Sequence, residues 1–159
     1  MSLAGVKQYL AAYGMADRVL ELEASSATVH DAALALSTEE DRIAKTLSFL
    51  LDETPIIVVV SGHAKVDNHK FKETFHKKAK MIPFADVERI TSHPVGGVCP
   101  FDLPDGIAVY LDRSLAKYET VFPACGSANS AIEMSIAELE LTAHPTAWVD
   151  VTVTPAPTI

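Results

Sequence analysis

Ile43-Ala44-Lys45-Thr46-Leu47-Ser48-Phe49-Leu50-Leu51 and, four residues later, Ile56-Ile57-Val58-Val59-Val60-Ser61 set the architecture of this chain. The first stretch alternates and reads as a strand carrying one lysine. The second is a β-branched run of the kind found in a central strand buried on both faces. A lysine inside an otherwise apolar strand is costly to bury unpaired, so Lys45 must reach water, a carboxylate or a ligand.

Around these strands the composition is that of one domain spanning residues 1–159, with 48% hydrophobic and 21% charged residues and no internal repeat or linker. The longest apolar run, Pro55 to Val60, is far too short to cross a bilayer, so no membrane association is expected. Two cysteines, Cys99 and Cys125, cannot build a disulfide framework. Without a basic-then-apolar leader the expected setting is reduced and cytoplasmic. The net charge of −8 weighs against extensive non-specific nucleic-acid binding. Lys65, Lys70, Lys72, Lys77, Lys78 and Lys80 nevertheless crowd into one short segment, which reads either as a solvated helix face or as a landing patch for one end of an RNA. His63, His69 and His76 lie among them without ligand spacing to carboxylates or thiols, so neither metal nor other cofactor is expected.

Leu3 to Tyr13 has helical spacing with Gly14 as a stop, and Arg18 to Leu22 alternates as a short strand. Thr28 with Asp31 opens a helix over Val29 to Leu36, and Ser37 with Glu40 repeats the signal for a brief helix over Thr38 to Arg42. Asp67 or Asn68 caps a helix through Lys77, with Phe71 and Phe75 on one face, and Asp86 caps another over Val87 to Thr91. Strands follow at Ile107 to Leu111, Tyr118 to Ala124, Ala131 to Ser135 and Trp148 to Val153, with a helix at Ile136 to Ala143 and an extended tail from Thr154 to Ile159.

Between these elements lie two glycine loops. Ser92-His93-Pro94-Val95-Gly96-Gly97-Val98-Cys99-Pro100-Phe101 is permissive in its middle and stiffened by proline at either end. That combination suits a cradle of backbone N–H groups for a carbonyl or an anion, although a tight turn has the same composition. The second is Cys125-Gly126-Ser127-Ala128-Asn129, polar and close in character.

Four stretches in this order carry a resemblance: Arg42 to Leu47, Gly96 to Phe101, Tyr110 to Leu115, and Gly126 to Ser130. With them the chain, from about Thr28 to Val151, resembles the YbaK-type aminoacyl-tRNA editing family, which includes the inserted editing domain of bacterial prolyl-tRNA synthetases. The resemblance implies a mixed α/β fold, a curved and mostly antiparallel sheet closing toward a barrel and flanked by helices. It implies a deacylase hydrolysing the ester of a mischarged tRNA in trans, such as Cys- or Ala-tRNA(Pro), with that tRNA and a synthetase as partners. Gly96, Gly97 and Val98 would polarise the ester carbonyl, and Lys45 would orient the terminal ribose, phosphate or ester. Cys99, Pro100, Phe101, Asp112, Gly126, Ser127 and Asn129 would line the substrate pocket. Lys65, Lys70, Lys72, Lys77 and Lys78 would contact the tRNA.

Several of these residues have plainer readings. Asp112 either binds the substrate α-ammonium, pairs with Lys45, or caps the turn at Ser114. Ser127 and Asn129 also suit an ordinary polar turn. Cys99 stands where many members of that family carry serine. It reads as a small buried thiol, as half of a redox pair with Cys125, or as a nucleophile needing a base such as His93. Two further functions stay open: a non-catalytic module binding aminoacyl-tRNA or a synthetase, and a cysteine-dependent hydrolase of small esters or thioesters.

Overall fold

A strand buried on both faces needs an apolar side chain at every position, and Ile56 to Val60 supply them. In the computed structural model, which describes residues 2–154, Ile57 and Val59 pack into one core cluster. Ile56, Val58 and Val60 pack into another on the opposite face, and none of the five is more than 2% exposed.

The chain opens with helix α1 (Ser2–Ala11), a 3₁₀ turn, the short strand β1 (Leu20–Glu21) and helix α2 (Val29–Leu36). A second 3₁₀ turn at Glu40–Arg42 feeds β2 (Ile43–Leu51), which returns as β3 (Thr54–Ser61). Next come β4 (Lys65–Val66), α3 (Asn68–Phe75), α4 (Phe84–Thr91) and β5 (Ala108–Asp112). After a third 3₁₀ turn the chain runs through β6 (Thr120–Pro123), β7 (Ser130–Ala131) and β8 (Met134–Ser135). It ends with α5 (Ile136–Ala143), β9 (Ala147–Val149) and β10 (Thr152–Val153).

The main sheet is a curled half-barrel of six strands in the order β8-β6-β2-β3-β5-β9, with β1–β7 and β4–β10 as separate antiparallel pairs. This is the mixed α/β architecture expected from the sequence. The longest ladder, β2 against β3, is antiparallel from Ala44↔Ser61 to Leu51↔Thr54. The β2–β6, β3–β5 and β5–β9 ladders are parallel, so the sheet mixes both directions. Helices α1 and α5 cover one face through Val6, Leu10, Leu139 and Ala143. Helix α3 covers the other through Phe71, whose ring stacks 4.9 Å from Phe49 and 4.7 Å from Phe75.

Local signals set most boundaries. Thr28 caps α2 by accepting from the Asp31 amide, Asp67 caps α3 by accepting from Lys70, and Ser135 with Glu138 forms a complete capping box on α5. Four expectations are corrected. Ser37 is the left-handed C-cap of α2 (φ 54°) and opens no helix, so only Glu40–Arg42 turns. Helix α3 stops at Phe75 because His76 turns left-handed (φ 62°). Helix α4 starts at Phe84, behind Pro83, and Asp86 sits inside its first turn. The segments 131–135 and 148–153 each break in two, because their halves pair with different strands. Within the expected tail, residues 155–159 lie outside the described range.

Candidate functional site

Strand β2 sorts its side chains by size. Leu47, Phe49 and Leu51 face the α3 side, whereas Ala44, Thr46 and Ser48 face the other way and leave space. The result is a cavity of about 190 Å³. Ala32 of α2, Phe122, Ala124, Ala131, Ile82 and Val87 close its walls, all apolar and three of them alanine. Its mouth carries exposed apolar side chains, with Met81, Phe84 and Val95 at 52%, 78% and 49% exposure.

Three of the expected site residues border this cavity: Lys45, Gly96 and Val98. Lys45 is neither solvent-facing nor paired with Asp112. Its half-buried ammonium donates to the carbonyls of Ala64 (2.9 Å) and Gly62 (3.4 Å). Burial, aided by repulsion from Lys65, holds its pKa below the usual lysine value. Gly96 takes φ +89°, and a Cβ there would stand 2.9 Å from the Ala27 methyl, so the position needs glycine for both reasons.

Gly97 is turned away from the cavity. Its N–H donates to the Pro94 carbonyl at 2.9 Å, so that donor is already committed. A Cβ at Gly97 would lie 2.6 Å from the Ser127 amide nitrogen, so this glycine serves the close approach of the two loops.

The remaining expected residues support the cavity from outside. Cys99 and Phe101 are fully buried in the α1-side core, and Pro100 is buried between them. Asp112 is 0% exposed, with a carboxylate that accepts from the Ser114 amide, the Val151 amide and the Thr152 hydroxyl. It caps a turn and ties β10 to the sheet, and the α-ammonium and Lys45 readings do not hold. Gly126 packs against Ser2 of α1. Ser127 holds Asn129 (3.0 Å) and the Ser130 hydroxyl (2.6 Å), and Asn129 fastens the Leu22 carbonyl (3.1 Å). Only Ser130 of that loop, with Ala131, reaches the cavity wall.

A thiol mechanism lacks its base. Cys99 Sγ lies 3.6 Å from His93 Nε2, but that nitrogen donates to the Phe101 carbonyl at 2.7 Å and therefore carries the proton. The other ring nitrogen accepts from the Ser2 hydroxyl. Burial keeps the imidazole neutral and pushes the Cys99 thiol pKa up, and Cys125, also free and buried, is raised by burial to about 12.

Two of the five lysines expected to contact tRNA are held in ion pairs. Lys70 pairs with Asp150 (3.1 Å) and the Thr152 carbonyl, and Lys77 pairs with Asp52 (2.8 Å). Lys65, Lys72 and Lys78 are exposed and form no ion pair among the described residues.

The sequence reading missed the small-residue face of β2. Its signal was present: Ala44, Thr46 and Ser48 alternate with Leu47 and Phe49, and small side chains on one face of a strand leave a hollow.

Residues 23–141 match the model of the aminoacyl-tRNA editing domain. The chain is 45% identical to YwhH of Bacillus subtilis (strain 168), an uncharacterised protein, over 95% of this chain and 97% of that one. It is 26% identical to the proline–tRNA ligase of Streptococcus sanguinis (strain SK36) over 55% of this chain, which spans 14% of the ligase. Among solved structures, a candidate trans-editing enzyme for prolyl tRNA synthetase superposes with TM-score 0.85 at 26% identity, over 96% of this chain and 97% of that one. Hypothetical protein APE2540 superposes with TM-score 0.83 at 30% identity, over 94% and 99%.

Proposed function

The chain belongs to the aminoacyl-tRNA editing domain family, and we propose that it hydrolyses, in trans, the ester of a tRNA mischarged with a small amino acid such as cysteine or alanine. The observation that carries this reading is the cavity itself: small, apolar-walled, and bordered by the glycine loop at Gly96 and Val98.

The chemistry asks little of side chains. The aminoacyl group enters the cavity, and N–H groups of Gly96 and Val98 face the oxygen on which negative charge develops. Water, assisted by the adjacent ribose hydroxyl, adds to the carbonyl carbon. The ester C–O bond then breaks, and the departing ribose oxygen takes a proton. Lys45 orients the ribose or its phosphate. Its longer bond to Gly62 (3.4 Å) yields to the substrate while the shorter one to Ala64 (2.9 Å) holds the side chain in place. Discrimination lies in cavity size, where one methylene is worth about 1–3 kcal/mol.

The test is multiple-turnover deacylation against a panel of mischarged tRNAs, including Cys-, Ala-, Ser- and Thr-charged forms. Rapid hydrolysis of at least one small-residue substrate is expected. Tight binding of the same tRNAs without turnover would replace the deacylase with an adaptor.

A further inference from the structure

The outer edge of β2 is interrupted at one residue. Ala44 is in register with Pro123 of β6, and the parallel ladder ends there. Further along, the Ser48 carbonyl accepts from the Ile82 amide (3.0 Å) and the Leu50 amide donates to the Lys80 carbonyl (2.8 Å). Thr46 lies between these two closures. Alternation directs its N–H and C=O to the same edge as those of Ser48 and Leu50. Continuing the β6 ladder would carry the Thr46 N–H to the Ala124 carbonyl, but the ladder stops at Pro123 and that bond does not form. Among the described residues neither backbone group of Thr46 finds a partner across this edge. The Thr46 hydroxyl is likewise buried with no partner among them. Both Thr46 and Ala124 line the cavity.

Three other hydroxyls on the wall are engaged. Ser26 donates to the Ala128 carbonyl, Thr28 caps α2, and Ser130 bonds Ser127. A strand edge left open at one residue, with an unpaired buried hydroxyl beside it, is shaped to receive one amino-acid unit.

We infer that the aminoacyl group docks on Thr46 as a one-residue strand. Its α-ammonium donates to the Thr46 carbonyl and hydroxyl, and its ester carbonyl accepts from the Thr46 N–H, as in an antiparallel hydrogen-bonded pair. Thr46 is thus a substrate-binding residue that recognises what every aminoacyl ester shares, while the apolar walls read the side chain. This rests on the deacylase reading and names the polar anchor of that same site.

Binding of a non-hydrolysable amide, 3′-alanylamino-3′-deoxyadenosine, tests it by calorimetry beside its des-amino (propionyl) counterpart. The alanyl compound should bind the native protein about tenfold more tightly than the propionyl one. Thr46→Val, which keeps the backbone carbonyl and loses the hydroxyl, should reduce that difference without lowering Tm, and Thr46→Ser should preserve it. Equal affinity of the two compounds for the native protein, or an unchanged preference in Thr46→Val, would overturn the inference. The deacylation assay separates the two ideas. Turnover by the native protein with no effect of Thr46→Val sinks only the Thr46 role. Alanyl-selective binding without turnover sinks only the deacylase.

Discussion

Lys45 Nζ lies 2.9 Å from the carbonyl oxygen of Ala64, so the one lysine of β2 is anchored to the turn that follows β3. Replacing it with alanine leaves two carbonyls without their charged donor, and stability should fall by about 1–2 kcal/mol. Deacylation should fall about a hundredfold or more, since the terminal ribose loses its orienting group. Thermal melts and single-turnover rates on Lys45→Ala check both. A variant that is folded and fully active would remove Lys45 from the site.

Cys99 should prove chemically silent. Its thiol is fully buried, and its imidazole neighbour points a committed N–H at Phe101. Cys99→Ser is expected to keep most of its turnover, and iodoacetamide should label neither cysteine of the native protein. Loss of hydrolysis in a variant that melts normally would bring the thiol mechanism back.

Acid should act on the fold through Asp41. Burial pulls this carboxyl upward, but Lys117 (2.6 Å), Tyr118 (2.9 Å) and the His63 amide (3.0 Å) outweigh that and leave its pKa at about 2. A pKa depressed in the folded state contributes stability above the ordinary value of 3.8 that is lost as pH falls toward about 2. The contribution is on the order of 2 kcal/mol. Asp41→Asn should be destabilised at neutral pH and show a shallower loss across that acid window, measurable by urea midpoints. Parallel curves for both proteins would exclude this residue as the source.

Among the lysines, Lys70 and Lys77 are held in ion pairs, whereas Lys65, Lys72 and Lys78 project freely. Charge reversal at Lys65, Lys72 and Lys78 should weaken tRNA binding. It should also flatten its salt dependence by about 0.7 in the log–log slope per lost phosphate contact. Reversal at Lys70 and Lys77 should instead act on stability. Equal salt slopes for native and reversed proteins would mark the segment as a solvated surface.

The sequence revealed those features that a few neighbouring residues determine. The bounds of α2, β2 and α5 follow from local caps and alternation around Thr28, Lys45 and Ser135. Asp112 was ambiguous because a carboxylate ending a strand looks the same whether it meets solvent or, as here, Val151 and Thr152 from a distant strand. The partners of Lys70 and Lys77, Asp150 and Asp52, are likewise remote in sequence. The same limit applied to the glycine loops. Their composition showed that the backbone approached something, and only the three-dimensional packing shows that at Gly97 the something is the other loop.

The division of β2 into a small-residue face and a large-residue face has a consequence for how such proteins diverge. Ala32 of α2, Ala44 of β2, Ala131 of β7 and Ala124 just past β6 sit around the cavity, and none belongs to the glycine loop at Gly96 or bears on Lys45's anchor at Ala64. Each can gain a methyl group or two, shrinking the space by a small step, while the groups proposed for the chemistry stay where they are. On the proposed deacylase reading selectivity is modular: a lineage can retune which residue it accepts by single-site drift in its alanines without rebuilding the groups proposed for the chemistry.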